Sequence, residues 1–196
     1  SIAGISLAHS FGYQGLNLGQ KKLGIALVGL GNYATRQLAP ALMDTQMCAL
    51  KGIVTGTPSK IDQWKKTYDL KDHQVYNYDN FDSIANNDEI DIVYVVLPNN
   101  MHKEYTLRAF EAGKHVICEK PLVSSLKEVD ELEKISKETG KIIFPVFQYR
   151  YGLGFSKLKA LIKSGLAGNP LVASLETHWN RGKDYYSKPW RGTWEG

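Results

Sequence analysis

Cysteine is scarce in this chain, which has only Cys48 and Cys118 among its 196 residues. Two cysteines so far apart cannot form the dense disulfide framework of a small secreted scaffold, and there is no Cys-x-x-Cys pair to indicate a redox or zinc site. The five histidines are also spread along the chain without metal-ligand spacing. The sequence therefore predicts neither a metal site nor a fold that depends on disulfides.

Long apolar runs and a strong charge imbalance are missing as well. No run of about 18 apolar residues occurs, so the sequence predicts no membrane-spanning helix. The net charge is only +4, with acids and bases mixed along the chain, which does not favour a nucleic-acid or membrane-surface partner. The aromatic, basic stretch at 179–194 is a poor nucleic-acid candidate because acids interrupt it.

Charge is absent altogether from residues 1–20. Ser1–Ala8 resembles the end of the apolar region of a signal peptide, although no basic segment precedes it. The alternative is an apolar arm that packs on the protein or on a partner subunit. Residues 1–22 are therefore predicted to be an N-terminal arm or a signal-peptide remnant, which favours a periplasmic over a cytoplasmic location.

A glycine-rich turn follows the first apolar run of the chain, at residues 24–34. In this pattern Gly29 permits a tight turn, Gly31 leaves room for a pyrophosphate, and Ala34 lets the following helix pack closely. The free N–H groups at the start of that helix would face the anion. The same pattern can also be a simple strand-to-turn connection. The predicted phosphate-binding residues are Gly29, Leu30, Gly31, Asn32, Tyr33 and Ala34.

Apolar, β-branched segments alternate with amphipathic ones as far as residue 148. We expect six strands, at 24–28, 49–54, 75–76, 91–97, 115–118 and 142–147. Helices are expected between them, and Pro40 should kink or shorten the first. This alternation predicts an α/β fold, a doubly wound parallel sheet of the Rossmann type, over residues 23–148.

The pattern then restarts. A helix is expected at 155–162, ended by Gly165, and Leu171–Trp179 alternates like a strand that faces a core on one side. One helix and one strand cannot bury their own apolar faces. Residues 149–196 are therefore predicted to begin a second, incomplete α/β domain for substrate and oligomer contacts, as in a truncated chain.

The end of the second predicted strand lacks an acid. Sites that select NAD usually place a carboxylate about 20 residues after the glycines, where it holds the ribose hydroxyls. This chain has Thr55-Gly56 there, followed by Lys60, and these groups could bind a 2′-phosphate. The pattern favours NADP over NAD, unless Lys60 is simply a solvated helix residue.

Two further segments follow predicted strand ends, where ligands bind in such sheets. After the fourth strand come Leu97, Pro98, Asn99 and His102, which could meet a cofactor. Alternatively, Asn99 is a helix cap and His102 a surface residue of the first helical turn.

The second segment is Glu119-Lys120-Pro121, directly after the fifth strand. A lysine at this strand end points into the same crevice and could accept or donate the proton that accompanies hydride transfer. A solvated lysine is the alternative. Lys120 is the predicted catalytic residue.

The motifs together resemble the glucose–fructose oxidoreductase/inositol dehydrogenase family, most closely its glucose–fructose oxidoreductase branch, over residues 23–192. The segments that carry this resemblance are Gly29–Ala34, Thr55–Gly56, Tyr78–Asp82, Leu97–His102, Arg108–Val116 and Glu119–Pro121.

The resemblance implies roles for residues that spacing alone does not assign. Tyr78 would join Leu97–Asn99 and His102 along the adenosine and ribose path, Glu119 would touch the nicotinamide ribose, and Lys120 would be catalytic. Trp190-Arg191 is similar to a pair that reaches back to the cofactor, while Gln148 stands where the glucose–fructose enzymes have arginine. The family's partners of the catalytic lysine would lie beyond residue 196.

The resemblance thus implies an NADP-dependent oxidoreductase that transfers hydride between nicotinamide and a sugar or polyol, and that forms a dimer or tetramer when full length. Two alternatives remain open. One is the NAD(P)-dependent glycosidase branch of the family, and the other is a truncated fragment that binds the cofactor without turnover. Exported members of the family agree with the periplasmic prediction.

Overall fold

The computed structural model describes residues 21–188 and Arg191. All six predicted strands are present in one parallel sheet with the order β3-β2-β1-β4-β5-β6. The strands are β1 Leu23–Val28, β2 Cys48–Val54, β3 Val75–Tyr76, β4 Ile92–Val95, β5 His115–Cys118 and β6 Ile143–Pro145. The order reverses direction between β1 and β4, so the predicted doubly wound Rossmann fold is confirmed.

Helices connect these strands and continue beyond the sheet. The α-helices are α1 Ala39–Asp44, α2 Ile61–Tyr68, α3 His102–Glu111, α4 Leu126–Thr139, α5 Leu153–Lys163 and α6 Lys183–Tyr186. Short 3₁₀ segments are Pro58–Lys60, Asp72–Gln74, Phe81–Asn86, Asn99–Met101 and Gln148–Tyr151. No helix among the described residues is long and apolar enough to cross a membrane.

The helix after the glycine turn is irregular where Pro40 predicts it. A π-helical segment, Ala34–Leu38, precedes α1, and the N–H of Ala39 donates to the carbonyl oxygen of Ala34. Proline has no N–H to donate to the preceding turn, and the wider π-helical turn ends two residues before it, at Leu38. The first helix is therefore distorted without being ended.

Two apolar clusters cover the two faces of the sheet. One contains Val28 and Val93 together with Phe110 of α3. The other contains Leu27 and, from α2, Trp64. Neighbouring residues of a strand point to opposite faces, so β1 buries both of its faces and reads as a continuous apolar run.

The region after β6 differs from this pattern. Helix α5 is followed by Gly165 with φ +75°, as predicted. The predicted strand at Leu171–Trp179 is wrong, because the structure has no regular element there and Leu171 is 93% exposed. A strand needs a neighbour to pair its backbone groups, and the described part of the chain supplies none at this segment.

Several predicted features lie outside the described residues. These are residues 1–20 of the N-terminal arm and Trp190. Within the described ranges, no group of three or more His, Cys, Asp or Glu side chains could hold a metal ion.

Candidate functional site

A cavity of about 760 Å³ opens where β1, β2, β4 and β5 end. This volume falls within the range of roughly 300–1,000 Å³ that small-molecule and cofactor sites occupy. Most of the predicted site residues line it: Gly29, Leu30, Gly31, Asn32, Tyr33, Thr55, Gly56, Lys60, Tyr78, Leu97, Pro98, Glu119, Lys120, Gln148 and Arg191. The fold thus brings residues from distant parts of the sequence to one edge of the sheet.

The glycine turn forms the centre of this cavity. Gly29 has φ +95°, and a Cβ at this position would lie 2.6 Å from the carbonyl oxygen of Val96. Its N–H donates to the carbonyl oxygen of Val54 at 3.0 Å, which ties β1 to β2. At Gly31 a Cβ would meet nothing within 4 Å, so open space lies beside the backbone. The first turn is held tightly, while the second glycine leaves room for a ligand.

The end of β2 supplies a second wall. Thr55 is buried, and its hydroxyl accepts a hydrogen bond from the N–H of Thr57 at 3.1 Å. The ammonium of Lys60 donates to the carbonyl oxygen of Leu30 at 2.7 Å, across the cavity mouth. Because Lys60 is half-buried and bonded to the glycine turn, the alternative of a freely solvated lysine is wrong.

Tyr78 closes the same side of the cavity. Its ring packs over Gly56 and meets the ring of Tyr105 edge-on, with centroids 5.5 Å apart. The carbonyl oxygen of Tyr78 accepts a hydrogen bond from Arg108 Nη2 at 3.1 Å. The ring is thus fixed by packing on both sides.

Charged groups approach the cavity from the other strand ends. Glu119 is buried after β5, whereas Lys120 is exposed towards the cavity. Among the described lining residues, Glu119 carries the only carboxylate, against the cations Lys60, Lys120, Arg181 and Arg191. This excess of positive charge favours an anionic ligand.

Three predicted contacts do not line the cavity. Ala34 is fully buried, in keeping with its predicted packing role. Asn99 is the first residue of a 3₁₀ turn whose N-cap is Pro98, and the N-cap of α3 is Met101, so the interpretation of Asn99 as a helix cap is wrong. His102 is 1% exposed, which contradicts a surface position as well as a place on the cavity wall.

Two backbone carbonyl oxygens lie within hydrogen-bond distance of the buried His102 ring. Its Nδ1 lies 2.7 Å from the carbonyl oxygen of Pro121, and its Nε2 lies 2.9 Å from that of Leu97. The ring therefore joins the two loops that follow β4 and β5. Sequence alone does not show that these loops meet at the start of α3.

Four lining residues were not predicted: Thr57, Val96, Trp179 and Arg181. Thr57 and Val96 lie within two residues of predicted site positions, so their proximity to strand ends is a signal that could have found them. Arg181 lies over the ring of Trp179, 4.7 Å from its centroid, in a segment without regular structure. No periodic pattern marks such a contact in advance.

The residues present fit a dinucleotide. The open space at Gly31, the N–H groups at the helix start and the cationic rim are the features that a pyrophosphate requires. The cavity extends from the β2 end, across the glycine turn, to the β5 end. This is the crevice that two mononucleotide halves occupy in a doubly wound sheet.

Comparison with known proteins agrees with this geometry. Residues 23–147 match the model of an oxidoreductase family with an NAD-binding Rossmann fold, Gfo/Idh/MocA. The crystal structure of aldose-aldose oxidoreductase from Caulobacter crescentus, complexed with glycerol, is similar with a TM-score of 0.72 and 34% identity. The match covers 74% of this chain and 43% of that one.

Two curated relatives show the same partial coverage. D-xylose 1-dehydrogenase [NADP(+)] of Haloarcula marismortui is 26% identical over 146 residues, 74% of this chain and 40% of its own length. Inositol 2-dehydrogenase of Salmonella typhimurium is 28% identical over 154 residues, 77% of this chain and 44% of its own length. The chain thus spans less than half of the length of these two relatives.

Proposed function

Because the chain belongs to the Gfo/Idh/MocA oxidoreductase family, we propose that the full-length protein is an NADP-dependent oxidoreductase of a sugar or polyol. The observation that carries this proposal is that the glycine turn, the Thr55–Lys60 segment and Lys120 face one cavity. The relatives named for xylose, inositol and aldose support the substrate class.

The choice of NADP rests on the β2 end. A carboxylate there would repel a 2′-phosphate, and none lines that part of the described cavity. The hydroxyl of Thr55, the backbone around Gly56 and the ammonium of Lys60 are all donors suited to a phosphate. The Haloarcula relative, whose name specifies NADP(+), supports the same choice.

The chemistry follows from the position of Lys120. A nicotinamide cofactor held in this cavity would supply the hydride acceptor or donor. Lys120 Nζ takes the hydroxyl proton when the carbinol is oxidised and returns it when the carbonyl is reduced, and Glu119 accepts a hydrogen bond from a ligand hydroxyl. The half-buried Lys60 fixes the glycine turn during these steps.

The test uses the full-length protein, NADP⁺ and a panel of aldoses and polyols, with absorbance of NADPH as the readout. We expect turnover of at least one substrate, and we expect Lys120→Met to lower kcat by about 10²-fold or more while NADPH still binds. Lys103→Met is the matched control, because Lys103 pairs with Glu131 of α4 away from the cavity. Turnover that survives Lys120→Met would contradict the role of Lys120. Release of sugar from an aryl glycoside without net NADPH change would instead indicate the glycosidase alternative.

A further inference from the structure

A buried tyrosine–carboxylate pair lies behind the cavity wall. The hydroxyl of Tyr94 donates to Oε1 of Glu119 at 2.9 Å, and both residues are 8% exposed. Tyr94 does not line the cavity, whereas Glu119 does. The pair therefore links the interior of the sheet to a group that a ligand can reach.

Sheet register brings the two residues together. β4 pairs with β5 so that Val95 lies opposite Cys118, and the N–H of Glu119 donates to the carbonyl oxygen of Val95 at 3.1 Å. Tyr94 packs in the same apolar cluster as Ile117. Since side chains alternate along a strand, Glu119 shares that face with Ile117 and Tyr94. The hydrogen bond thus follows from two adjacent strands of fixed register.

In this pair the Tyr94 hydroxyl is the donor and the Glu119 carboxylate is the acceptor. Burial and the neighbouring carboxylate of Glu119 raise the pKa of the Tyr94 phenol far above its ordinary value. The phenol therefore keeps its proton and remains a donor at working pH. Burial and Glu119 also raise the pKa of Tyr33, which lines the same cavity. Glu119 is thus held by Tyr94 on the side away from the cavity.

The order of the strands shows which half of a dinucleotide Glu119 would meet. The glycine turn follows β1 at the centre, and the Thr55–Lys60 segment follows β2 on one side. A pyrophosphate at the turn and a 2′-phosphate beside β2 leave the β4 and β5 ends to the nicotinamide half. Glu119 lies at the β5 end, more than one strand away from the adenosine side.

We propose that Tyr94 is a positioning residue that orients the Glu119 carboxylate towards the ribose hydroxyls of the nicotinamide half. One carboxylate oxygen is occupied by the phenol, and a carboxylate has acceptor sites to spare for a ligand hydroxyl. The inference rests on the proposed function, since it requires a dinucleotide in this cavity.

The experiment compares two ligands on two matched variants of this chain. NADPH reaches both halves of the site, whereas 2′,5′-ADP occupies only the adenosine half. Tyr94→Phe removes one hydroxyl and little volume, and Tyr76→Phe is the control, because Tyr76 is also buried in the sheet and lies off the cavity.

Tyr94→Phe should weaken NADPH binding by about tenfold and change 2′,5′-ADP binding by less than about twofold, because a hydrogen bond to a charged group is lost only on the nicotinamide side. Tyr76→Phe should leave both affinities within about twofold of the parent. Equal binding of NADPH by Tyr94→Phe and the parent would overturn the inference. Equal weakening of both ligands would also overturn it, because the effect would then be general.

A double-mutant cycle separates action through Glu119 from any other route. Glu119→Ala removes the carboxylate that Tyr94 is proposed to hold, so adding Tyr94→Phe to it should weaken NADPH binding no further. Additive losses would contradict the positioning role. A parent chain that does not bind NADPH at all would overturn the proposed function itself, and the inference with it.

Discussion

Leu132 and Leu158 lie on the apolar stripes of two amphipathic helices, yet Leu132 is 1% exposed and Leu158 is 49% exposed. Leu132 belongs to α4, which packs beside α3. Leu158 belongs to α5, and no residue from 149 to 188 is buried. The two regions differ in what surrounds a helix rather than in its pattern. An apolar stripe contributes to stability only where the chain presents a complementary face.

The walls of the cavity also differ in how firmly they are held. The walls formed by the glycine turn, β2, β4 and β5 are fixed by hydrogen bonds between strands. The wall formed by Trp179, Arg181 and Arg191 is built from stacked aromatic and guanidinium groups on an exposed segment. We therefore expect substitutions in the walls formed by the glycine turn and the strand ends to have larger effects on stability and NADPH binding. Similar substitutions in the wall of Trp179, Arg181 and Arg191 should have smaller effects.

The largest expected difference is in stability. Leu132→Ala should lower the free energy of unfolding by about 2–5 kcal/mol, because it leaves a cavity in a packed core. Leu158→Ala should lower it by less than about 0.5 kcal/mol, because the side chain is already half in water. Urea denaturation of both variants measures this. Equal losses of unfolding free energy in the two variants would contradict the distinction between α4 and α5.

The two glycines of the turn, Gly29 and Gly31, are expected to differ in how much they contribute to stability. Gly29→Ala should cost about 1–3 kcal/mol of stability, because φ is +95° and the new Cβ would contact the carbonyl oxygen of Val96. Gly31→Ala should leave stability within about 0.5 kcal/mol, because its Cβ meets no protein atom.

Gly31→Ala should have a large effect on NADPH binding, although its effect on stability should be small. The new methyl group would fill the space proposed for the pyrophosphate, so NADPH should bind at least about tenfold more weakly to Gly31→Ala. Thermal unfolding and NADPH fluorescence titration on the same samples separate the two effects. Unchanged binding by Gly31→Ala would contradict the placement of the pyrophosphate.

A smaller difference is expected between the two cavity walls. Lys60→Met removes an ammonium that donates to Leu30 at 2.7 Å, and it should weaken NADPH binding by about tenfold. Arg181→Ala removes a cation from the exposed wall, where solvent screens it, and should weaken binding by less than about threefold. The opposite ranking would show that the exposed wall dominates cofactor binding.

Much of the sheet, and of the cavity at its edge, could be predicted from the sequence because strands and turns are marked by local residue patterns. Buried parallel strands read as apolar runs, so β1 to β6 were located, and the residues after each strand converge at one edge by topology alone. The glycine turn and Lys120 were placed on the cavity for that reason.

The remainder depends on contacts between distant segments. His102 was expected on the cavity wall or the surface, but it is buried between the carbonyl oxygens of Leu97 and Pro121. Leu171–Trp179 alternates like a strand, but alternation without a pairing partner does not form one. The hydrogen bond from Tyr94 to Glu119 likewise depends on the register between β4 and β5, which the sequence does not show.

The most direct test of the NADP proposal compares the affinities of NADPH and NADH for this chain by fluorescence titration. Since Thr55-Gly56 stands where NAD-selective sites place a carboxylate, and Lys60 follows it, NADPH should bind at least about tenfold more tightly than NADH. Lys60→Met should weaken NADPH more than NADH, because it removes the proposed 2′-phosphate contact as well as the bond to Leu30, and so it should reduce that preference. Equal or tighter binding of NADH by the unaltered chain would contradict the assignment of the β2 end to a 2′-phosphate.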